Sequence, residues 1–166
     1  MVVKTALYSD IASRNRPSFY APPVAWAVAQ FTESLIEDTG GILPDQSGMI
    51  VASDECSLET VREIANTALQ GTISPLRFAG SSPSILVGLP ALQRGIRGPS
   101  LSLTMRPEHA APAMLAMIRY WIEHNAITAV IAIAHHRQGK DHLFKGLIAR
   151  SIDDALTQQI RELGYC

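Results

Sequence analysis

The chain has few cysteines, and this shortage excludes whole classes of protein. Only two of its 166 residues are cysteine, and Cys56 and Cys166 lie far apart in the sequence. Neither a disulfide framework nor a cysteine-rich metal site is therefore expected. Cysteine usage of this kind is typical of a reducing compartment, so we predict a cytoplasmic protein.

Charge and long apolar runs are also scarce. The formal net charge is -1 and only 17% of the residues are charged, which argues against a nucleic-acid-binding domain with its basic face. No apolar run approaches the ~20 residues that span a bilayer, and the polar N-terminal segment does not resemble a signal peptide. Because 47% of the residues are hydrophobic, we expect an aliphatic core and some surface that is hidden in an oligomer.

Apolar segments of strand length and helix length alternate along the chain. This alternation predicts an α/β fold with one mostly parallel five-stranded sheet and helices on its faces, in a single domain over residues 1–166. Pro23 and Ser57 mark helix starts, with Ser57 as a cap. The expected strands are 2–9, 48–53, 101–104, 127–134 and an edge strand at 142–149. The expected helices are 23–38, 57–70, a bent 85–95, 107–124 and an extra C-terminal helix at about 152–163, with 73–84 irregular.

The segment GIRGPSLSLT, from Gly95 to Thr104, joins a Gly-Pro turn to a short alternating strand that leads toward a helix starting at Pro107. A strand, a sharp turn and a buried helix often hold a nucleophile, because the helix start offers free N–H groups and a positive dipole end. With the upstream segment 73–96 and the order of elements, this pattern resembles the N-terminal half of the β-ketoacyl-acyl carrier protein synthases. The resemblance implies half of a thiolase fold.

The same resemblance implies a nucleophilic cysteine at the head of the helix, and counting from the Gly-Pro turn places that position at Pro107. The small residues that surround it in the family are replaced by Met105, Arg106, Glu108 and His109. Condensation needs a thiolate and oxyanion donors, some of which the family takes from its second half. We therefore expect no condensation by this chain alone, as in chain length factors, which keep the fold and lose the cysteine.

Half of such a fold is expected to leave one apolar face of its sheet bare, because the resembled fold places the helix from Pro107 between two sheets. Leaving that face in water costs ~25 cal/mol per Å². We therefore predict a partner that completes the fold, either a second copy in a homodimer or a β-ketoacyl synthase-like subunit in a heterodimer. The C-terminal helix is expected to supply part of the cover. Acyl carrier protein is a further candidate partner, and no cofactor is predicted beyond contact with carrier-borne phosphopantetheine.

Four residues are candidates for substrate or carrier binding. Arg94, Arg97 and Arg106 cluster in sequence around the turn, where guanidinium groups suit a phosphopantetheine or an acidic carrier surface; the alternative is solvated or interface ion pairs. His135 ends an apolar strand, a place where ligands of parallel sheets often lie. The neighbouring His136 must point to the opposite face, so the two histidines cannot share a metal ion, and no metal site is predicted.

Glu108 and His109 are the candidates for acid/base catalysis, because they lie in the first turn of the helix. The alternative is that Glu108 complements the helix dipole and His109 only packs. Cys56 is interpreted as a small apolar filler, and His142 is given no role.

Two functions follow from these residues. The first is a non-condensing synthase-like subunit of polyketide or fatty-acid biosynthesis, which binds a synthase partner or a carrier-bound acyl chain. The second is an acyl-thioester enzyme (a dehydratase, isomerase or cyclase) that uses Glu108 and His109. The missing nucleophile favours the first, so the chain is not expected to be a condensing enzyme.

Overall fold

A computed structural model describes residues 1–11, 21–139 and 141–165, without the side chain of Gln138; Cys166 lies outside the described residues. Strands and helices alternate through most of this part of the chain. The strands are β1 (Val2–Leu7), β2 (Ser47–Ser53), β3 (Ser100–Leu103), β4 (Ala129–Gln138) and β5 (Asp141–Ala149). The helices are α1 (Tyr8–Ile11), α2 (Pro23–Glu37), α3 (Leu58–Leu69), α4 (Pro75–Ala79), α5 (Ile85–Arg94), α6 (Pro107–Glu123) and α7 (Asp154–Leu163).

The five strands form one sheet in the order β1-β5-β4-β2-β3. β2 is parallel to both β3 and β4, whereas β5 is antiparallel to its neighbours β4 and β1. Four strands thus run in one direction and β5 runs against them, which confirms the predicted α/β class. The prediction of an edge strand at 142–149 is wrong. β5 lies inside the sheet, because it pairs with β1 on one side and with β4 on the other. It forms a hairpin with β4 through Gly139, whose φ of 64° suits a tight turn.

Side chains alternate between the two faces of the central strands and so divide the core into two parts. One face packs against α2 and α5, and the other packs against α6 and α7. The first part includes Met49, Val51, Ile131, Ile133 and Phe144 with Phe31, Leu35 and Leu86. The second part includes Ile50, Ala52, Val130, Ala132 and Leu147 with Met114, Ile118, Leu156 and Ile160.

The expected bare face of the sheet is not found, so that expectation is wrong. α6 and α7 cover the face in question, and every residue of β2 is buried. The C-terminal helix supplies cover as expected. α6 is not enclosed on all sides by the described residues: Met114 and Ile118 are buried, while Arg119 and Tyr120 are exposed. Among the described residues, most of the exposed large apolar side chains therefore lie on helices and loops, and those on the sheet are Val3 and Leu7 of the edge strand β1.

Two local expectations also need correction. The hydroxyl of Ser57 donates to the carbonyl of Ser81, so it does not cap α3. The segment 73–84 contains the short helix α4 and is not irregular throughout. Pro90 lies inside α5 without ending it, and the helix stops at Gly95, which has a φ of 65°.

The Gly-Pro turn packs tightly against the start of β2. The amide of Gly98 donates to the carbonyl oxygen of Ser47 at 3.1 Å, and a Cβ at Gly98 would lie 2.4 Å from that oxygen. The amide of Met49 then donates to the carbonyl of Pro99 at 3.0 Å. Glycine is needed here for close approach of two backbones, and the contact sets the register of β3 beside β2.

Candidate functional site

Parallel strands bring their carboxyl ends to one edge of the sheet. β2 ends at Ser53 and is followed by residues 54–56, and β3 is followed by residues 104–109. His135 lies toward the end of β4. Because β5 is reversed, His142 near its start lies at the same edge, where it pairs with Arg137. Ligands of α/β sheets commonly bind at this edge, so we take it as the candidate site. None of the described helices is both long and apolar enough to cross a membrane.

The junction between β3 and α6 is covered by the end of α7. Pro107 is the buried first residue of α6. A Cβ at Gly164 would lie 2.9 Å from the carbonyl oxygen of Pro107 and 3.1 Å from the Cα of Glu108. Nearby, the Nε2–H of the buried His136 donates to the carbonyl of Leu163 at 2.7 Å. The position where the resemblance expects a nucleophile therefore holds a proline under the C-terminal segment.

Glu108 contacts a charged neighbour, but no described side chain holds the ring of His109 in place for acid/base work. The Nε of Arg106 lies 3.3 Å from a carboxylate oxygen of Glu108 and 3.9 Å from one of Asp54. A hydrogen bond from its own backbone amide and the charge of Arg106 hold the pKa of Glu108 below its usual value, so it is an ionised carboxylate. His109 is exposed and its ring bonds to none of the described residues. Acid/base work by this pair remains a prediction.

The three arginines that cluster in sequence are separated by β3. Arg94 and Arg97 precede the strand, and Arg106 follows it. Because a strand residue rises ~3.3 Å, the first two lie at the opposite edge of the sheet from the third. Arg94 pairs with Glu33 of α2, and Arg97 is exposed. The structure thus does not bring the three together as one anion site.

His135 is fully buried and belongs to a chain of polar side chains. Its Nδ1 lies 2.8 Å from the hydroxyl of Ser53, and its Nε2 lies 2.8 Å from the Nδ1 of His142. Its ring stacks on Phe144 with the centroids 4.8 Å apart. Burial lowers the pKa of His135 to about 3, so the ring is neutral at physiological pH. His135 and His136 point to opposite faces, as predicted, and His135 is a connecting group rather than an open binding residue.

Sequence reasoning missed the two residues at the open end of this chain, Cys56 and His142. Both line a cavity of about 250 Å³ at the carboxyl edge. Burial and the charge of Arg137 lower the pKa of His142. The remaining lining residues are Val24, Glu55, Glu59, Arg62 and Arg137. A hairpin turn at Gly139 is the sequence signal that would have placed His142 beside His135.

Cys56 is strained and held in place. Its φ is 40°, a left-handed conformation that costs free energy for a residue with a side chain. Its amide donates to the hydroxyl of Ser53 at 2.9 Å, and its thiol donates to the carbonyl of Ser53 at 3.0 Å. Burial raises the pKa of the Cys56 thiol, and the nearby Asp54 and Glu55 carboxylates raise it further. The thiol is therefore protonated at neutral pH.

Comparison with known proteins gives fold similarity without close sequence similarity. No family model and no curated protein matches the chain. The chain is similar to the ishigamide ketosynthase/chain length factor, with a TM-score of 0.66 and 14% identity over 87% of this chain and 49% of that one. It is also similar to the structure of a ketosynthase (ApeO) in complex with its chain length factor (ApeC) from Xenorhabdus doucetiae, with a TM-score of 0.61 and 14% identity over 76% of this chain and 57% of that one.

These similarities confirm the fold that the segment 73–104 predicted. The sheet and helices described above match about half the length of each solved chain. At this level of identity the match is one of architecture, and the activities of the solved proteins remain their own. The chain therefore has the fold of the ketosynthase and chain length factor proteins and spans about half of it.

Proposed function

We propose that this chain is a non-condensing, synthase-like subunit of polyketide or fatty-acid biosynthesis that binds a ketosynthase partner. The observation that carries the proposal is the junction of β3 and α6 in this fold, which holds the buried Pro107 instead of a nucleophile. Proline has neither a nucleophilic atom nor an N–H for an oxyanion. The similar complex of a ketosynthase with its chain length factor supports a synthase as the partner.

An arm formed by α3 and α4 is the surface we assign to that partner. Neither helix has a buried residue, and a 12-residue helix draws most of its stability in a protein from packing of its apolar face. Within the described residues, the arm is tied together by the ion pair of Arg77 with Glu63 at 3.2 Å. The exposed apolar side chains of the arm region are Leu58, Val61, Leu69, Ile73, Leu76 and Phe78.

The exposure of these apolar side chains fits a protein partner better than solvent. Leu69 is 88% exposed and Phe78 is 65% exposed, within one short stretch of chain. Contiguous apolar patches above a few hundred Å² mark interaction sites, and a stable interface buries ~800 Å² on each side. A carrier-bound acyl chain would then be held beside the partner's active site, with this chain shaping its surroundings.

The proposal is tested by co-purification with a candidate ketosynthase. Wild-type chain is expected to form a defined complex, and the double variant Leu69→Asp, Phe78→Asp is expected to lose it, because two charges would be buried in an apolar interface. Ile42→Asp is the matched control: Ile42 is 72% exposed and precedes β2 at the opposite edge of the sheet from the arm. A chain that binds no synthase-like subunit, or that condenses acyl groups by itself, contradicts the proposal.

A further inference from the structure

The cavity lined by Cys56 and His142 has the parts of a thiol–imidazole site. We propose that Cys56 accepts an acyl group from a thioester in this cavity and that His142 is the base that moves its proton. The inference deepens the proposed function and rests on it for the substrate class, because an acyl thioester is what a synthase-like subunit would meet. It requires no condensation.

The position of Cys56 gives the first support. The residue lies between β2 and α3, in a strand–turn–helix arrangement with a positive φ of 40°. A sharp strand-to-helix turn of this kind presents a nucleophile at the carboxyl edge of a parallel sheet. β2 is the immediate neighbour of β3. The thiol thus sits one strand away from Pro107, at the same edge of the sheet.

The surroundings of His142 give the second support. The Nδ1 of His142 is engaged by His135, which in turn is fixed by Ser53, both at 2.8 Å. The proposed step uses the tautomer in which the Nδ1–H of His142 donates to His135 and the Nδ1–H of His135 donates to the Ser53 oxygen, so that Nε2 of His142 is free to accept a proton. His142 lines the cavity with Cys56. Cys56 and His142 thus place a nucleophile and a base on the wall of one cavity, and His135 is the group that orients the base. His135 and Ser53 are positioning residues.

The charges around the cavity and the protonation of Cys56 and His142 determine how the thiol would be activated. Glu55 pairs with Arg137 at 2.8 Å, and Glu59 and Arg62 also line the space, so the lining has no excess of one sign. A protonated Cys56 thiol needs a base, and a neutral His142 provides one at neutral pH. We expect little reaction of Cys56 without His142, in contrast to an exposed thiolate.

The proposed step balances as a thioester exchange. The imidazole of His142 takes the proton from the Cys56 sulfur as that sulfur bonds to the acyl carbonyl carbon. The tetrahedral intermediate collapses with cleavage of the original C–S bond, and the leaving thiolate takes the proton from His142. The products are an acyl-Cys56 thioester and a free thiol, with no oxidant or reductant involved.

The experiment uses the full chain and butyryl-N-acetylcysteamine as the probe. Intact mass should increase by one butyryl group that hydroxylamine removes, and peptide mapping should place it on Cys56. Cys166→Ser should react like the wild type and Cys56→Ser should gain no such group. His142→Asn, which retains a partner for His135, should react at least tenfold more slowly, in line with the ~10² to 10⁴ that general bases supply.

Three results overturn the inference: no mass gain, a group on Cys166 alone, or a hydroxylamine-stable group on lysine. Mapping of the wild-type adduct keeps the test valid even where Cys56→Ser does not fold. Binding of the synthase partner is measured separately on the same proteins. Loss of acylation with intact binding removes only this inference, whereas loss of binding with intact acylation removes the proposed function.

Discussion

The Nε2 of His135 lies 2.8 Å from the Nδ1 of His142, and this contact joins a fully buried imidazole to one at a cavity. One ring must donate and the other must accept, so the pair is stable when both rings are neutral. Burial is the main reason that the pKa of His135 falls from 6.5 to about 3. At mildly acidic pH the unfolded chain therefore binds a proton at this residue that the folded chain does not bind.

This difference in proton binding makes stability depend on pH. Below pH ~6.5 the unfolded state binds a proton that the native state does not bind until about pH 3, so the unfolding free energy falls as the pH is lowered through that window. The slope from this one group is about 1.4 kcal/mol per pH unit. When the pH is lowered from about 7.5 to about 5, the unfolding free energy measured with urea should fall by about 2 kcal/mol less in His135→Asn than in the wild type. The exposed His124 serves as the control: His124→Asn should keep the wild-type difference. Equal pH dependence in His135→Asn and wild type would refute the neutral buried histidine.

The close packing of the Gly-Pro turn on β2 predicts that Gly98 is needed for stability. Gly98→Ala should lower the unfolding free energy by roughly 1–3 kcal/mol or more, because its Cβ would lie 2.4 Å from the Ser47 carbonyl oxygen and backbone would have to move. Gly88→Ala in α5 is the matched control, since a Cβ there meets nothing within 4 Å and alanine favours a helix by roughly 0.5–1 kcal/mol. Chemical denaturation of both variants checks this. Equal effects of the two substitutions would mean that β3 does not pack on β2 as described.

His109→Ala separates the two functions that the residues suggest. His109 is exposed and its ring bonds to none of the described residues, so its removal should leave complex formation with a ketosynthase within about twofold of wild type, since surface substitutions cost little. Binding is measured by titration of the partner. If a turnover of an acyl thioester is found and this variant abolishes it, the acid/base enzyme is the correct interpretation and the proposed function is wrong.

Pro107→Cys should not create a condensing enzyme. Gly164 packs closely on the backbone at position 107: a Cβ built at Gly164 would lie 2.9 Å from the carbonyl oxygen of Pro107. A thiol at this position would also lack the oxyanion donors that condensation needs. Incubation of the variant with acyl and malonyl thioesters, followed by mass analysis of the products, should show no elongated chain above the wild-type background. Elongation by this variant alone would contradict the assignment of a non-condensing subunit.

Much of the fold was predictable from local chemistry. The alternation of apolar segments indicated the order of elements, and the turn at Gly98 with the strand after it was recognisable from the Gly-Pro pair and the alternating residues that follow. The position of β5 was not predictable from its residues, because its apolar pattern fits an edge or an interior strand equally well. Only the pairing of β5 with β1 as well as with β4 decides between them.

The candidate site was less predictable than the fold. Glu108 and His109 are adjacent in sequence and were easy to single out, whereas His142 and Cys56 are brought together by sheet pairing across distant parts of the chain. Arg94 and Arg106 show the opposite case, because neighbours in sequence are carried to opposite edges by one short strand. The covered sheet face was missed for a related reason: the C-terminal helix was expected to supply only part of the cover, whereas α6 and α7 together close the face through contacts between distant parts of the chain.

The most direct test of the proposed function is the mass of the intact purified assembly, measured alone and after mixing with a candidate ketosynthase. We predict a complex that contains one or more copies of this chain with the synthase, in a fixed ratio, and its loss in the variant Leu69→Asp, Phe78→Asp. A chain that remains a monomer under both conditions, with the exposed arm still in solvent, would contradict the account.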